Sequence, residues 1–225
     1  GMPTPNGYTS DSWATGSRAA AFGGTTTVID FIEPEDNETL LESYRKRRAE
    51  ADGESMVDFS LHMTITRSDD ETLKQIPGIV EAGITSFKHY TTYDGFALQD
   101  EGLIKSFEAI RNAGGLVLVH CENDAIIRFS IHHLTESGKL HPSNFPDSRP
   151  PIAEVEAIRR VIAIARFVNL PLYVVHISTG TGATAVDRAR KHGQVVYGET
   201  CPQYLVLDEG VYRNPDGMEA VKYIC

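Results

Sequence analysis

The sequence predicts an α/β fold on a parallel sheet, arranged as a (β/α) barrel or as a doubly wound sheet. Short β-branched runs alternate with helical stretches of ten or more residues, the pattern of repeated βαβ units. The runs are apolar almost throughout rather than at every second residue, as in strands covered on both faces. Glycine or proline punctuates the chain before each run.

Taken in order, GGTTTVIDF is the first strand, ending near Phe31, and NETLLESYRKRRAEADG the first helix, with Gly53 as its stop signal. VDFSLHMTIT is the second strand, and DDETLKQIPGIVEAG a helix capped by Asp69 or Asp70. ITSFKHY and DEGLIKSFEAIRNAGG form the third pair. LVLVHCEN is the fourth strand, with a helical stretch opening near Asp124. HPSNFPDSRPP reads as an irregular loop, its prolines breaking any regular run, before the helix EVEAIRRVIAIARFV. LPLYVVHIST is the fifth strand, GATAVDRARKHG its helix, and QVVYGETCPQYL the sixth strand with its following loop.

Composition narrows the function. Of 225 residues, 41% are apolar and 23% charged, which suits a globular chain with a core of ordinary size. A net charge of −10 argues against nucleic-acid surfaces and anionic membranes as partners. No apolar run approaches the roughly 20 residues of a membrane span. Three cysteines, Cys121, Cys201 and Cys225, lie far apart without a C-x-x-C pair, which points to a reducing compartment and hence the cytoplasm. RKRRAEADGE is a charge run on a solvated helix face.

Three nitrogen-bearing side chains follow apolar runs: Lys88 after ITSF, His120 after LVLV and His176 after LYVV. In a parallel sheet the C-terminal strand ends share one face, where such folds build their sites. One strand-end histidine is ordinarily a hydrogen-bonded core residue, but two at matching positions suit a divalent metal. An ammonium repels a metal, so Lys88 joins such a site only when neutral or converted to an anion. Several other polar residues read as structural. His62 reads as a hydrogen-bonded residue, and Cys121, pointing opposite to His120, as core. HISTGTGATA reads as a helix cap and close-packing turn with Ser178 near the site, since it fits neither the dinucleotide nor the P-loop pattern. His132 and His133 sit side by side in a helical stretch.

The stretches FGGTTTVIDF, GITSFK, LVLVHCEN, SRPPIAEVEAIRRVIAIA, LYVVHIST and GETCPQYL, in that order, resemble the dihydropyrimidinase/hydantoinase branch of the cyclic amidohydrolases. The resemblance runs the length of the chain and implies a (β/α)8 TIM barrel with two zinc ions. Lys88 falls on the lysine that this family carboxylates to bridge both ions, and His120 and His176 on two histidines of the second ion. Tyr93 falls on the tyrosine that binds substrate and hydrogen-bonds the oxyanion during ring opening. The implied reaction is metal-assisted hydrolysis of dihydropyrimidines or 5-substituted hydantoins to N-carbamoyl amino acids by a homo-oligomeric enzyme.

The family also has an H-x-H pair on its first strand, an aspartate on its last and a flanking β-sandwich, and this sequence contains no H-x-H. Residues 1–225 therefore read as an incomplete barrel of about six of eight strands, without the β-sandwich and with three of six metal ligands. The expectation is weak or absent metal, an unmodified Lys88 and little hydrolysis by this chain alone. It also includes open sheet edges near Val28 and Val196, either pairing between chains or covered by terminal segments. Allantoinase, dihydroorotase and a non-catalytic scaffold are the alternatives. Tyr93 favours the dihydropyrimidinase branch, and the presence of all three accessible ligands favours an enzyme.

Overall fold

Six parallel strands stand side by side in the order in which they occur along the chain. That order decides between the two predicted architectures, because a doubly wound sheet reverses its strand order at a switch point and a barrel wall does not. The computed structural model describes residues 3–4, 7–8, 11–213 and 217–224. A short antiparallel pair, β1 (Pro3–Thr4) and β2 (Gly7–Tyr8), precedes helix α1 (Trp13–Phe22). The main sheet and its crossovers then run β3 (Thr27–Ile32), α2 (Leu40–Ala51), β4 (Asp58–Thr64), α3 (Asp70–Leu73), α4 (Ile76–Glu81), β5 (Ser86–Tyr90), α5 (Asp100–Ala113) and β6 (Leu116–His120). Next come α6 (Asp124–Glu136), α7 (Phe145–Ser148), α8 (Pro151–Val168), β7 (Leu172–Val174), α9 (Gly180–Lys191), β8 (Val196–Gly198) and α10 (Gly217–Val221).

Local chemistry sets the element boundaries. Thr39 and Glu42 form a reciprocal capping box at the start of α2, and Gly53, at φ +84°, turns the chain away after its end. The Asp69 side chain accepts the Thr72 N–H and caps α3, as the sequence predicted. The single helix expected over DDETLKQIPGIVEAG is instead two short ones. Pro77 lacks an N–H and its ring opposes the carbonyl four residues earlier, so the helix restarts at Ile76. The stretch expected to be an irregular loop holds a 3-10 turn (Pro142–Asn144) and α7, and α8 starts at Pro151, whose ring presets the φ of a first helical residue. Helix α1 was not anticipated, although a Ser12–Thr15 capping box opens it.

The core lies between the sheet and its outer helices. Phe87, Phe107, Ile110, Val117, Ile158, Val161, Leu172 and Val174 have no accessible surface and form one cluster. Each such side chain contributes about 1.5–3 kcal/mol by leaving water. Gly115 shows how tightly α5 sits: a Cβ there would lie 2.8 Å from Ile110 and 2.9 Å from Phe87. Alternation along β5 therefore turns Phe87 and His89 toward the helices and Lys88 and Tyr90 toward the interior of the wall. Among the described residues β3 and β8 each pair on one side only, as expected near Val28 and Val196. Cys121 and Cys201 are free thiols, and Cys225 lies outside the described residues.

Candidate active site

Strand register sets the depths of the predicted residues. Lys88 is paired with Leu118, and His120, the last residue of β6, with Tyr90. Lys88 is therefore mid-strand, two residues below the rim, rather than at the strand end as the sequence suggested. His176 also departs from expectation: β7 ends at Val174, and His176 turns out of the strand at φ +38°. Tyr93 has φ +80°. Such backbone is costly for residues with a Cβ and persists only where neighbours enforce it.

The rim nevertheless gathers His120, His176 and Tyr93, with Lys88 below it on β5. His120 Nδ1 faces His176 Nε2 at 3.0 Å, and His120 Nε2 lies 2.8 Å from Glu122 Oε2. The Tyr93 ring sits 5.0 Å from that of His120 and the Tyr90 ring 5.6 Å from it. Lys88 Nζ lies over the Tyr90 face at 4.0 Å, an attraction between a cation and the ring electrons. The Tyr90 ring thus contacts both the buried amine and the His120 imidazole. The Thr91 side chain braces the rim, accepting the Glu122 N–H while its hydroxyl lies 3.0 Å from the His120 carbonyl.

Burial governs the charges. It lowers the Lys88 pKa to about 8, so an appreciable neutral fraction exists near physiological pH. Burial, reinforced by His120 and Lys88, lowers His176 to about 4, and burial also lowers His120 despite its bond to Glu122. Both imidazoles are neutral at pH 7. Burial opposes ionisation of Glu122, but His120 and Arg149 outweigh it and hold the carboxylate below its usual range. Burial raises the Tyr93 hydroxyl.

Two functional candidates were missed by sequence reasoning. Glu122 follows His120 by two residues and so shares its side of an extended chain, a signal that was legible. Arg149, between α7 and α8, donates to Glu122 Oε2 at 2.7 Å and lies 5.5 Å from the Tyr93 ring centre. Its position in an apparently irregular proline-rich stretch gave no signal. The structural readings of other residues agree with the contacts. His62 Nδ1 pairs with Ser86 Oγ at 2.6 Å, Cys121 is buried, and Thr179 caps α9 by accepting the Gly182 N–H.

Among the described residues, no cluster of three or more His, Cys, Asp or Glu side chains is arranged to hold a metal. The histidine pair alone fits part of such a centre. Two neutral imidazoles present ring nitrogens 3.0 Å apart, close to the roughly 3.4 Å between two nitrogens on a tetrahedral zinc.

No family model matches the chain. It is 37% identical over 225 residues to the D-hydantoinase of Streptomyces coelicolor, covering all of this chain and 48% of that protein. It is 40% identical over 216 residues to the D-phenylhydantoinase of Escherichia coli, covering 94% of this chain and 46% of that protein. The fold superposes on the crystal structure of dihydropyrimidinase from Brevibacillus agri with a TM-score of 0.95 at 36% identity, over 99% of this chain and 49% of that one. An L-hydantoinase from Arthrobacter aurescens aligns over 88% of this chain and 44% of its own, at 28% identity and a TM-score of 0.81. Along its whole length the chain is a homologue of the D-hydantoinases and dihydropyrimidinases, and it spans about half the length of the relatives it matches.

Proposed function

We propose that this chain supplies one side of the active site of a zinc-dependent cyclic amidohydrolase that opens dihydropyrimidines or 5-substituted hydantoins to N-carbamoyl amino acids. The observation that carries the proposal is the facing of His120 Nδ1 and His176 Nε2 at 3.0 Å, beside Tyr93 and above the buried Lys88. His120 and His176 would hold one zinc ion, and Lys88, carboxylated on its amine, would bridge that ion to a second. Zinc bound there supplies Lewis-acid polarisation of the ring carbonyl and activation of water. The lowered pKa of Lys88 supports carboxylation, because only the free amine adds to carbon dioxide. The Tyr93 hydroxyl, protonated at neutral pH, donates a hydrogen bond to the oxygen that gains charge as the ring carbonyl becomes tetrahedral. Glu122 fixes the tautomer of His120 by accepting a hydrogen bond from its Nε2–H, which leaves Nδ1 with a free lone pair. Residues 1–225 act in this reading as a partial barrel, with the remaining ligands outside the set described above. The free thiols of Cys121 and Cys201 support a cytoplasmic setting, and exposed Phe129 and Ile131 on α6 support a homo-oligomer.

A chimera tests this function. The 225 residues replace the matching stretch of the Streptomyces coelicolor D-hydantoinase, and ring opening of dihydrouracil and of a 5-substituted hydantoin is measured. Zinc-dependent opening, abolished by His120→Ala and slowed about 10²–10³-fold by Tyr93→Phe, is expected. A folded, zinc-loaded chimera that opens neither ring would overturn the assignment.

A further inference from the structure

His176 sits in a backbone conformation that it would not hold alone, at φ +38° and beyond the end of β7. The segment that follows is anchored by one carboxylate. Glu154, in the first turn of α8, accepts the Ser178 N–H at 3.0 Å and the Ser178 hydroxyl at 2.7 Å on Oε2. Its Oε1 accepts the Thr179 N–H at 2.9 Å and the Thr179 hydroxyl at 2.6 Å. A single carboxylate therefore meets four donors, two of them main-chain groups within three residues of His176. On the opposite side, the Ile177 N–H donates to the Glu199 carbonyl at 2.7 Å.

The same helix start also holds the loop that follows His120. The Asn123 N–H donates to the Ala153 carbonyl at 2.9 Å, and Asn123 Nδ2 donates to Glu156 at 2.6 Å. The first turns of α8 thus touch both segments that follow the two histidines. Packing leaves no room for substitutes. A Cβ at Gly182 would lie 2.8 Å from Ile158 and 3.0 Å from Glu154 Oε1, so only glycine lets α9 approach the carboxylate this closely.

We propose that Glu154 is a positioning residue: by binding Ser178 and Thr179 it fixes the turn at His176, so that Nε2 of this ring faces Nδ1 of His120. Its relevance to zinc rests on the function proposed above, but the positioning itself does not require a metal. Charge-assisted hydrogen bonds are about twice as strong as neutral ones, so glutamine at 154 weakens the grip. It also brings an amide NH2 against the donors that the second oxygen now accepts.

The test is made on the chain labelled with 15N-histidine, comparing wild type, Glu154→Gln and Ser178→Ala. Imidazole nitrogen signals report the tautomers and the His120–His176 hydrogen bond with no metal present, and zinc titration then reports affinity. The expected result is loss or marked shift of the paired His120 and His176 signals in Glu154→Gln, a smaller shift in Ser178→Ala, and unchanged His89 signals. Zinc binding should weaken about 10–100-fold in Glu154→Gln. Should Glu154→Gln fail to fold, Ser178→Ala decides on the same signals, since it removes one of the four bonds and leaves the carboxylate in place. Imidazole signals of His120 and His176 that match wild type in a folded variant overturn the proposal. If wild type binds no zinc, these residues alone do not hold the ion, and the imidazole signals still decide the role of Glu154.

Discussion

Two buried histidines stand on neighbouring strands and do different work. His89 on β5 has no accessible surface, points toward the helices, and packs its ring edge-on against Phe107 at 5.3 Å. Its Nε2 meets the neutral Ser106 hydroxyl at 2.8 Å, and its Nδ1 makes no hydrogen bond of ordinary geometry among the described residues. His120 on β6 is nearly as buried but points inward, where both ring nitrogens meet polar partners, Glu122 and His176. Burial alone does not separate a structural histidine from a functional one. The side of the sheet does, because the helix side offers hydrocarbon and the inner side collects the polar rim.

The comparison can be broken at its structural half first. Phe107→Ala removes a ring that fills the space between α5 and the sheet, and should cost about 3–5 kcal/mol in urea unfolding. The His120 and His176 imidazole signals should not move in the folded fraction. If they do, the two faces of the wall are coupled and the distinction fails.

Acid stability sharpens the contrast. Burial depresses the His89 pKa to about 3, against roughly 6.5 in an unfolded chain. The unfolded state therefore binds a proton that the native state refuses. The stabilising contribution is complete above about pH 6.5 and declines as the pH falls toward 3. His89→Leu should reduce the slope of unfolding free energy against pH between pH 6 and 4 by up to about 1.4 kcal/mol per pH unit. Unchanged slopes would show that His89 does not carry this term.

His120→Ala should have the smallest effect on stability, about 1–2 kcal/mol by urea unfolding, since Arg149 still satisfies Glu122 after the imidazole is gone. A loss as large as that of Phe107→Ala would make His120 a core residue.

The fold was largely legible because a strand covered on both sides must be apolar along its length, as LVLV and LYVV are. Sequential strand order was not legible, since it arises from how successive crossovers pack, and it chose the barrel wall over the doubly wound sheet. Lys88, His120 and His176 stood out because each follows an apolar run, whereas Tyr93 was reached through the family resemblance. The supporting residues did not. Glu154 lies among the polar positions of an amphipathic helix, and Arg149 in a proline-rich connection whose short turns follow no hydrophobic period. Their roles arise from contacts 24 to 27 residues away in the chain, as Glu154 with Ser178 and Arg149 with Glu122, which local patterning cannot reveal.

The most direct measurement is the zinc content of the chimera that carries these 225 residues in the Streptomyces coelicolor D-hydantoinase, after loading with zinc and bicarbonate and exhaustive dialysis, by plasma mass spectrometry, for wild type, His89→Leu, His120→Ala and His176→Ala. The account predicts zinc retained by wild type and by His89→Leu, and lost from both His120→Ala and His176→Ala. Zinc held equally by all four proteins, or by none, would contradict the claim that the inner face of the wall carries the metal site.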